Sequence, residues 1–291
     1  MKTISFFSEK GGVGKSSFTI MYASALKYKY GVKVGIADFN KRIESYRRAE
    51  ISNRDLKRRT NPDIPPFDLE NAWPIYTVKN QDIANLQKMG YLTPYATWLD
   101  NLLKNELSDM DVVLLDFPGS LSGKEFIQVA GMHMINLVVI PTEKDEMTLQ
   151  STMMLHSILK ESRSNHCIFI NKAQLGLRNL RASYLKLAEL LIQRGFPILP
   201  DMVTYSEKMM SIDKIDNFRS TFQFPDFSLP EFGASKDLGI QNLFIDITRE
   251  LDKTPDLKGT RLADLSFVYD LEKTNDNRQL SGTPFPQYEI I

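Results

Sequence analysis

Glu9-Lys10-Gly11-Gly12-Val13-Gly14-Lys15-Ser16-Ser17 decides the reading of this chain. Ahead of it stands a short apolar run, Thr3-Ile4-Ser5-Phe6-Phe7, with the composition of a strand. Behind it Phe18, Met21, Tyr22, Ala25 and Leu26 recur at helical spacing, and Gly31 is placed to end that helix. A glycine turn between a strand and a helix exposes successive backbone N–H groups at the positive end of the helix dipole. Such a turn cradles phosphate. Lys15 can reach β- and γ-phosphates, and the Ser16 hydroxyl can bind Mg²⁺. The bland alternative is a glycine loop that only joins strand to helix.

The spacing fits the general P-loop, except that Glu9 stands where glycine is usual. The run from Lys10 to Ser16 resembles the deviant Walker A motif of the ParA/MinD family of ATPases, which carries a lysine at each end of the glycine turn. The resemblance implies ATP and Mg²⁺ as cofactors and an ATP-dependent homodimer. It implies that Lys15 serves the nucleotide of its own subunit and that Lys10 crosses to the partner's. Gly11, Gly12, Val13, Gly14, Lys15, Ser16 and Ser17 then form the nucleotide cradle.

Other positions extend the resemblance. Asp116 ends the apolar run Val112-Val113-Leu114-Leu115 and precedes Phe117-Pro118-Gly119. It resembles the Walker B aspartate, a Mg²⁺ ligand with Ser16, and reads otherwise as a helix cap. Asn171 follows Cys167-Ile168-Phe169-Ile170 and looks like the family asparagine that reads the adenine edge, the alternative being a plain turn residue. Leu199-Pro200-Asp201-Met202-Val203 resembles the loop beside the base.

One departure matters. The family reads Asp-x-Asp at the end of the second strand, with the second aspartate positioning the attacking water. This chain reads Asp38-Phe39-Asn40. Asp38 matches the first acid and Asn40 occupies the catalytic place. An amide orients water but cannot take its proton as a carboxylate does. The expectation is a slow ATPase whose catalytic set is Lys10, Lys15, Asp38 and Asn40, with Asn40 also able to cap the following helix.

The whole chain fits a soluble α/β protein. Of its 291 residues 42% are hydrophobic and 25% charged, enough for a full core. Lys+Arg and Asp+Glu are equal at 36 each, so no global charge advertises nucleic acid or membrane. A single cysteine, Cys167, excludes an intrachain disulfide or a multi-cysteine cluster. It reads as a small apolar strand residue. His133, His156 and His166 lack metal-ligand spacing. The absence of a leader pattern and of a long apolar stretch predicts a cytoplasmic protein with no membrane insertion.

Val/Ile/Leu runs alternate with helical patterns. Strands are expected at 32–37, 74–78 (an edge), 112–115, 135–140 and 167–170, with a short one near 196–199. Helices are marked by Trp98, Leu99, Leu102 and Leu103, by Leu155, Ile158 and Leu159, and by Leu187, Leu190 and Leu191. Near-continuous apolar runs mean strands covered on both faces, hence a doubly wound, mostly parallel sheet with helices on both sides. The ATPase domain is expected over 1–253. Residues 254–291 read as a tail, flexible or partner-docking, in which Leu262, Leu265 and Val268 share an apolar face.

Segment 41–59 is locally basic, with eight Lys and Arg from Lys41 to Arg59. It reads either as a nonspecific DNA contact or as a solvated, salt-bridged helix. Met202, Met209 and Met210 read as packing residues. The expected function is a ParA-like, nucleotide-gated dimer that positions or partitions a cargo such as a plasmid, mobile element or large assembly, through an adaptor protein. The second reading is a non-hydrolysing, ATP-bound scaffold that recruits protein partners. A tyrosine-kinase reading on the same P-loop ancestry is disfavoured because Tyr269 and Tyr288 are isolated.

Overall fold

The computed structural model describes residues 1–63, 66–67, 72–130, 134–173, 178–203, 240–257 and 263–268. His133, Met209, Met210, Leu262, Tyr269 and Tyr288 lie outside the described residues. Each apolar run forms a strand followed by a helix. The elements are β1 (Lys2–Phe6), α1 (Lys15–Ser24), β2 (Val34–Asp38), α2 (Arg42–Thr60), β3 (Ile75–Thr77), α3 (Asn80–Lys88) and α4 (Pro94–Asn105). There follow β4 (Val112–Asp116), α5 (Gly123–Ala130), β5 (Leu137–Thr142), α6 (Glu146–Glu161), β6 (His166–Ile170), α7 (Arg178–Gln193) and α8 (Ile240–Asp252).

The strands form one parallel sheet in the order β3-β2-β4-β1-β5-β6. Strand side chains alternate between two cores. Ile4, Phe6, Val112 and Leu114 join Phe18, Tyr22, Ile43 and Leu243, so α1, α2 and α8 cover one face. Val113, Leu115, Val138 and Ile140 join Ile83, Leu99, Phe126 and Leu155, so α3 to α6 cover the other. This is the doubly wound sheet expected, with β3 at one edge. Each fully buried large apolar side chain contributes about 1.5–3 kcal/mol.

Every residue of α1 except Ser17 is buried, although the apolar spacing marks one face only. The helix behind the glycine turn is thus clamped on all sides. Past Ser24 its last turn widens into a π-helical turn, Ala25–Lys29, closed by Gly31 at φ 71°. That conformation suits glycine.

Three features differ from the sequence reading. The strand near 196–199 is reduced to a single bridge, Ile168 to Ile198, because Pro197 lacks one donor that the ladder needs and the next bond, to the Ile170 carbonyl, comes from Val203. Helices α3 and α5 were not among the helices expected, although both are amphipathic. Beyond residue 253, Leu265 and Val268 are buried in the core beside α8. The Leu257 N–H donates to the Met1 carbonyl, and the Met1 ammonium pairs with Asp256 at 2.9 Å. The first part of the segment read as a tail is therefore packed against β1.

Candidate nucleotide-binding site

In a parallel sheet all carboxyl ends lie on one rim, where ligands bind. The glycine turn follows β1, Asp38 ends β2, Asp116 ends β4, and Asn171 follows β6. The topology thus gathers residues that are up to 160 positions apart in the chain.

The turn is built for close approach. Gly12 and Gly14 adopt φ of 78° and 91°, and a Cβ on Gly14 would stand 3.1 Å from the Phe18 ring. A Cβ on Gly11 or Gly12 would meet nothing within 4 Å, so the turn opens onto free space. Among the described residues none accepts from the backbone N–H groups of Gly12 to Ser16. These donors point to an anion as their partner.

Lys15 folds over this turn. Its Nζ donates to the Lys10 carbonyl at 2.9 Å, and burial lowers its pKa to about 8 against the pull of Asp116. A cation at a desolvation cost, held only by a carbonyl, is what phosphate oxygens relieve. Gly119 gives it room: a Cβ there would lie 2.8 Å from Nζ.

Beneath the lysine lies the acidic pair. The Ser16 hydroxyl donates to Asp116 at 2.9 and 3.1 Å, and the Asn40 amide donates to Asp116 Oδ2 at 2.9 Å. Asp116 is wholly buried. Burial, with Asp38 nearby, raises its pKa to about 7. A buried carboxylate adjoining a hydroxyl, with a second acid near, is the donor chemistry of Mg²⁺, which needs only one or two protein oxygens beside water and phosphate. Ser16 and Asp116 therefore fit that ion. Among the described residues there is no cluster of three or more acidic, His or Cys side chains able to hold a metal by itself.

Asp38 and Asn40 shape the start of α2. Asp38 accepts from the backbone N–H groups of Asn40 and Glu44 at 3.1 and 3.0 Å. Burial still raises its pKa above the ordinary value, opposed by these bonds. Asn40 Oδ1 accepts from the Arg42 N–H at 2.7 Å, so the residue caps the helix while its other end holds Asp116.

Lys10 turns away from the turn. Its Nζ donates to Thr148 Oγ1 at 2.6 Å and pairs with Asp145 at 2.8 Å, at the N-terminus of α6. Burial would raise the Asp145 pKa, but hydrogen bonds from Lys10 and Thr148 overcome it and bring it down to about 2. Asn171 reaches back into the turn, its Nδ2 donating to the Val13 carbonyl at 3.0 Å. Ser17 is half-buried and makes no side-chain hydrogen bond among the described residues.

Several supports escaped the sequence reading. Glu9, in the position usually glycine, accepts from the Gly123 N–H and ties the turn to α5. An acid at a helix N-terminus is favoured by the dipole. Lys172 donates to the Gly12 carbonyl at 3.0 Å and pairs with Glu143 at 2.7 Å. The adjacency of Asn171 and Lys172 was the one signal for it. Asp201, in the loop beside β6, has its pKa raised by burial and by the facing carboxyl of Asp246 on α8. His156 and His166 hydrogen-bond each other at 2.8 Å, remote from any acid pair.

Fold and glycine turn together define a P-loop protein of the deviant Walker A type. Residues 1–172 match the family described as AAA domain, and the chain belongs to that family. Solved structures share the fold. A putative plasmid partition protein from Borrelia burgdorferi, bound to AMPPNP, matches at 19% identity and TM-score 0.57, covering 84% of this chain and 99% of that one. The MinD cell division protein of Aquifex aeolicus matches at 17% identity and TM-score 0.57, covering 89% and 100%. Cyanthece apo McdA matches at 17% and TM-score 0.50, covering 80% and 97%. A search of curated proteins found no match.

Proposed function

We propose that this chain binds ATP and forms a nucleotide-gated dimer that positions or partitions a cargo through an adaptor protein. The observation that carries the nucleotide reading is Lys15: a buried ammonium whose side chain spans an open glycine turn, bonded to the Lys10 carbonyl and in ion-pair contact with none of the described residues. In this reading Lys15 leaves the Lys10 carbonyl for the β- and γ-phosphates, while the N–H groups of Gly12 to Ser16 hold the phosphate chain. Ser16 and Asp116 would hold Mg²⁺, which neutralises phosphate charge. Asn171 would read the base with the amide atoms not bound to Val13. That the Borrelia relative was solved with AMPPNP supports the ligand class.

The dimer rests on Lys10. Its ammonium would leave Asp145 and Thr148 for the partner's nucleotide. The scaffold reading is favoured by one observation: Asn40, in place of the catalytic acid, is tied to both Asp116 and α2. Hydrolysis would then be slow and the ATP-bound dimer long-lived.

Isothermal calorimetry with ATP and Mg²⁺ tests the site. Lys15→Ala should weaken binding at least tenfold, since a charge-assisted contact is worth about 1.5–3 kcal/mol. Equal affinity in the variant would overturn the reading.

A further inference from the structure

Two neighbouring side chains past the end of β6 hold the glycine turn. Asn171 Nδ2 donates to the Val13 carbonyl and Lys172 Nζ to the Gly12 carbonyl, each at 3.0 Å. Consecutive residues of an extended strand point to opposite faces. Here both reach the same turn, and Lys172 takes a left-handed backbone, φ 54°. A residue other than glycine rarely holds that conformation, and where it does the surroundings impose it. The imposition is visible on both sides. The Asn171 N–H donates to the Thr142 carbonyl at 2.7 Å, and the Ala173 N–H to the Val203 carbonyl at 2.9 Å. Lys172 is pinned between them.

The two carbonyls matter because a peptide bond is planar and trans. A carbonyl and the N–H of the next residue point in opposite directions. Anchoring the Gly12 carbonyl to Lys172 turns the Val13 N–H away from Lys172, and anchoring the Val13 carbonyl to Asn171 does the same for the Gly14 N–H. Gly12 and Gly14 flank Val13 with φ of 78° and 91°, the alternation that gathers successive N–H groups into an anion-binding concavity. A flip of either peptide would put a carbonyl oxygen where a phosphate oxygen should lie. The Lys172 charge is itself balanced by Glu143 at 2.7 Å. Its ammonium therefore acts through the bond to Gly12 more than through its field.

We propose that Lys172 is a positioning residue of the phosphate site: with Asn171 it fixes two peptide planes of the glycine turn, so that the Val13 and Gly14 N–H groups face a polyphosphate before it arrives. The proposal rests on the nucleotide reading above and adds to it a residue that acts through the turn. Donors already aimed at the ligand need no rearrangement on binding. The clamp therefore sets affinity for the phosphate chain and is indifferent to the base. It also joins three strand ends, since the turn follows β1, Glu143 follows β5 and Lys172 lies just past β6. The sheet, more than the loop's own sequence, holds the turn in its anion-binding shape.

Calorimetry on the full chain, with ATP and with inorganic tripolyphosphate as probes, tests it beside thermal melts. Lys172→Met should weaken both probes by the same factor, roughly tenfold, the worth of one charge-assisted bond. Lys172→Arg keeps a cationic donor and should stay within about threefold of the wild type. Lys172→Gly separates the clamp from mere stability. Glycine is at ease at this φ, so the variant should melt above Lys172→Met yet bind both probes as weakly. The loss in Lys172→Met should be equal at about 0.05 and 0.3 M KCl, because a hydrogen bond inside the protein is not screened as a distant charge is. Wild-type affinity in Lys172→Gly or Lys172→Met overturns the proposal. So does a loss that vanishes in salt, which would assign attraction through space, or a loss for ATP alone, which would place Lys172 on the base or ribose. Lys15→Ala tells the two failures apart. If it loses tripolyphosphate while Lys172→Met does not, only the clamp falls. If wild type and Lys15→Ala bind equally, or neither binds, the nucleotide reading falls and the clamp with it.

Discussion

Asn40 makes three hydrogen bonds at once: its N–H to Asp38, its carbonyl from Arg42, and its amide to Asp116. An aspartate at 40 would keep the first two and turn a lone pair toward a buried carboxylate in place of the third. Asn40→Asp should therefore lower stability without Mg²⁺ by about 1–3 kcal/mol, the cost of an unsatisfied or repelled buried group. Mg²⁺ and ATP should restore much of it. The same variant should raise ATP turnover at least tenfold, because a carboxylate both orients the attacking water and accepts its proton. Thermal melts with and without Mg²⁺, beside a phosphate-release assay, check both halves. A wild-type rate equal to that of the variant would show that another residue orients the water. The sequence exposed Asn40 because it breaks a three-residue pattern. It could not show the bond to Asp116, which joins residues 76 positions apart.

At the scale of elements, legibility follows the range of the interaction. The glycine turn, Lys15 and Ser16 were readable because strand, turn and helix are contiguous. Asp145 and Thr148, which hold Lys10, were not, since nothing local to α6 marks them beyond an ordinary N-cap. Nor was the role of Glu9, whose partner Gly123 lies 114 positions away. Helix α2 resolves part of the ambiguity of segment 41–59. Glu44 pairs with Arg47 and Arg48, and Glu50 with Arg54, as a salt-bridged helix requires. Its last turn still carries Lys57, Arg58 and Arg59. If that turn contacts DNA, binding should fall steeply with salt, and reversing Arg58 and Arg59 should weaken it equally for all sequences. A gel-shift series in rising salt decides, and unchanged affinity removes this helix from any DNA surface.

Helix α6 and β6 meet at a second element-level device, the histidine pair. His166 Nδ1 lies 2.9 Å from the Ser164 carbonyl and so carries a proton. Its Nε2 then accepts from His156 Nδ1, and the Phe196 ring covers His156 at 4.3 Å. Burial lowers both pKa values below the ordinary 6.5, with His166 and Lys160 adding to the effect on His156. The unfolded chain thus binds more protons than the folded one just below pH 6.5. The pair's contribution is full above that pH and is lost as pH falls through the lowered folded values. The buried carboxyls of Asp116, Asp38 and Asp201, whose pKa values are raised, act in the opposite direction over this range. The pair is therefore read by difference: as pH falls from 7.5 to 5, the urea midpoint of His156→Gln with His166→Gln should rise relative to that of the wild type. An identical pH profile in the double variant would show that other groups set it.

For the whole molecule the question is what would hold the monomer apart from the proposed dimer. Lys10 sits in an ion pair with Asp145 that is about one-third to two-fifths exposed. Such pairs are worth about 0.2–1 kcal/mol. Releasing Lys10 to a partner's nucleotide therefore costs little, and the nucleotide, not the latch, should decide assembly. Sedimentation velocity should show monomer without nucleotide and dimer with ATP and Mg²⁺. Lys10→Ala should lose the dimer while keeping ATP affinity, because its ammonium makes no contact with the glycine turn of its own chain. Asp145→Asn separates the latch from the helix cap. Its side-chain oxygen can still accept from the Thr148 N–H, the bond that Asp145 makes at 3.0 Å, so α6 keeps its start. The ion pair is lost together with the bond from the Thr148 hydroxyl to the other carboxylate oxygen, and the ATP-dependent dimer should tighten roughly twofold to fivefold, the equilibrium equivalent of that exposed pair. A dimer that ignores nucleotide, or one that survives Lys10→Ala unchanged, would mean that the subunits meet through a surface other than this rim.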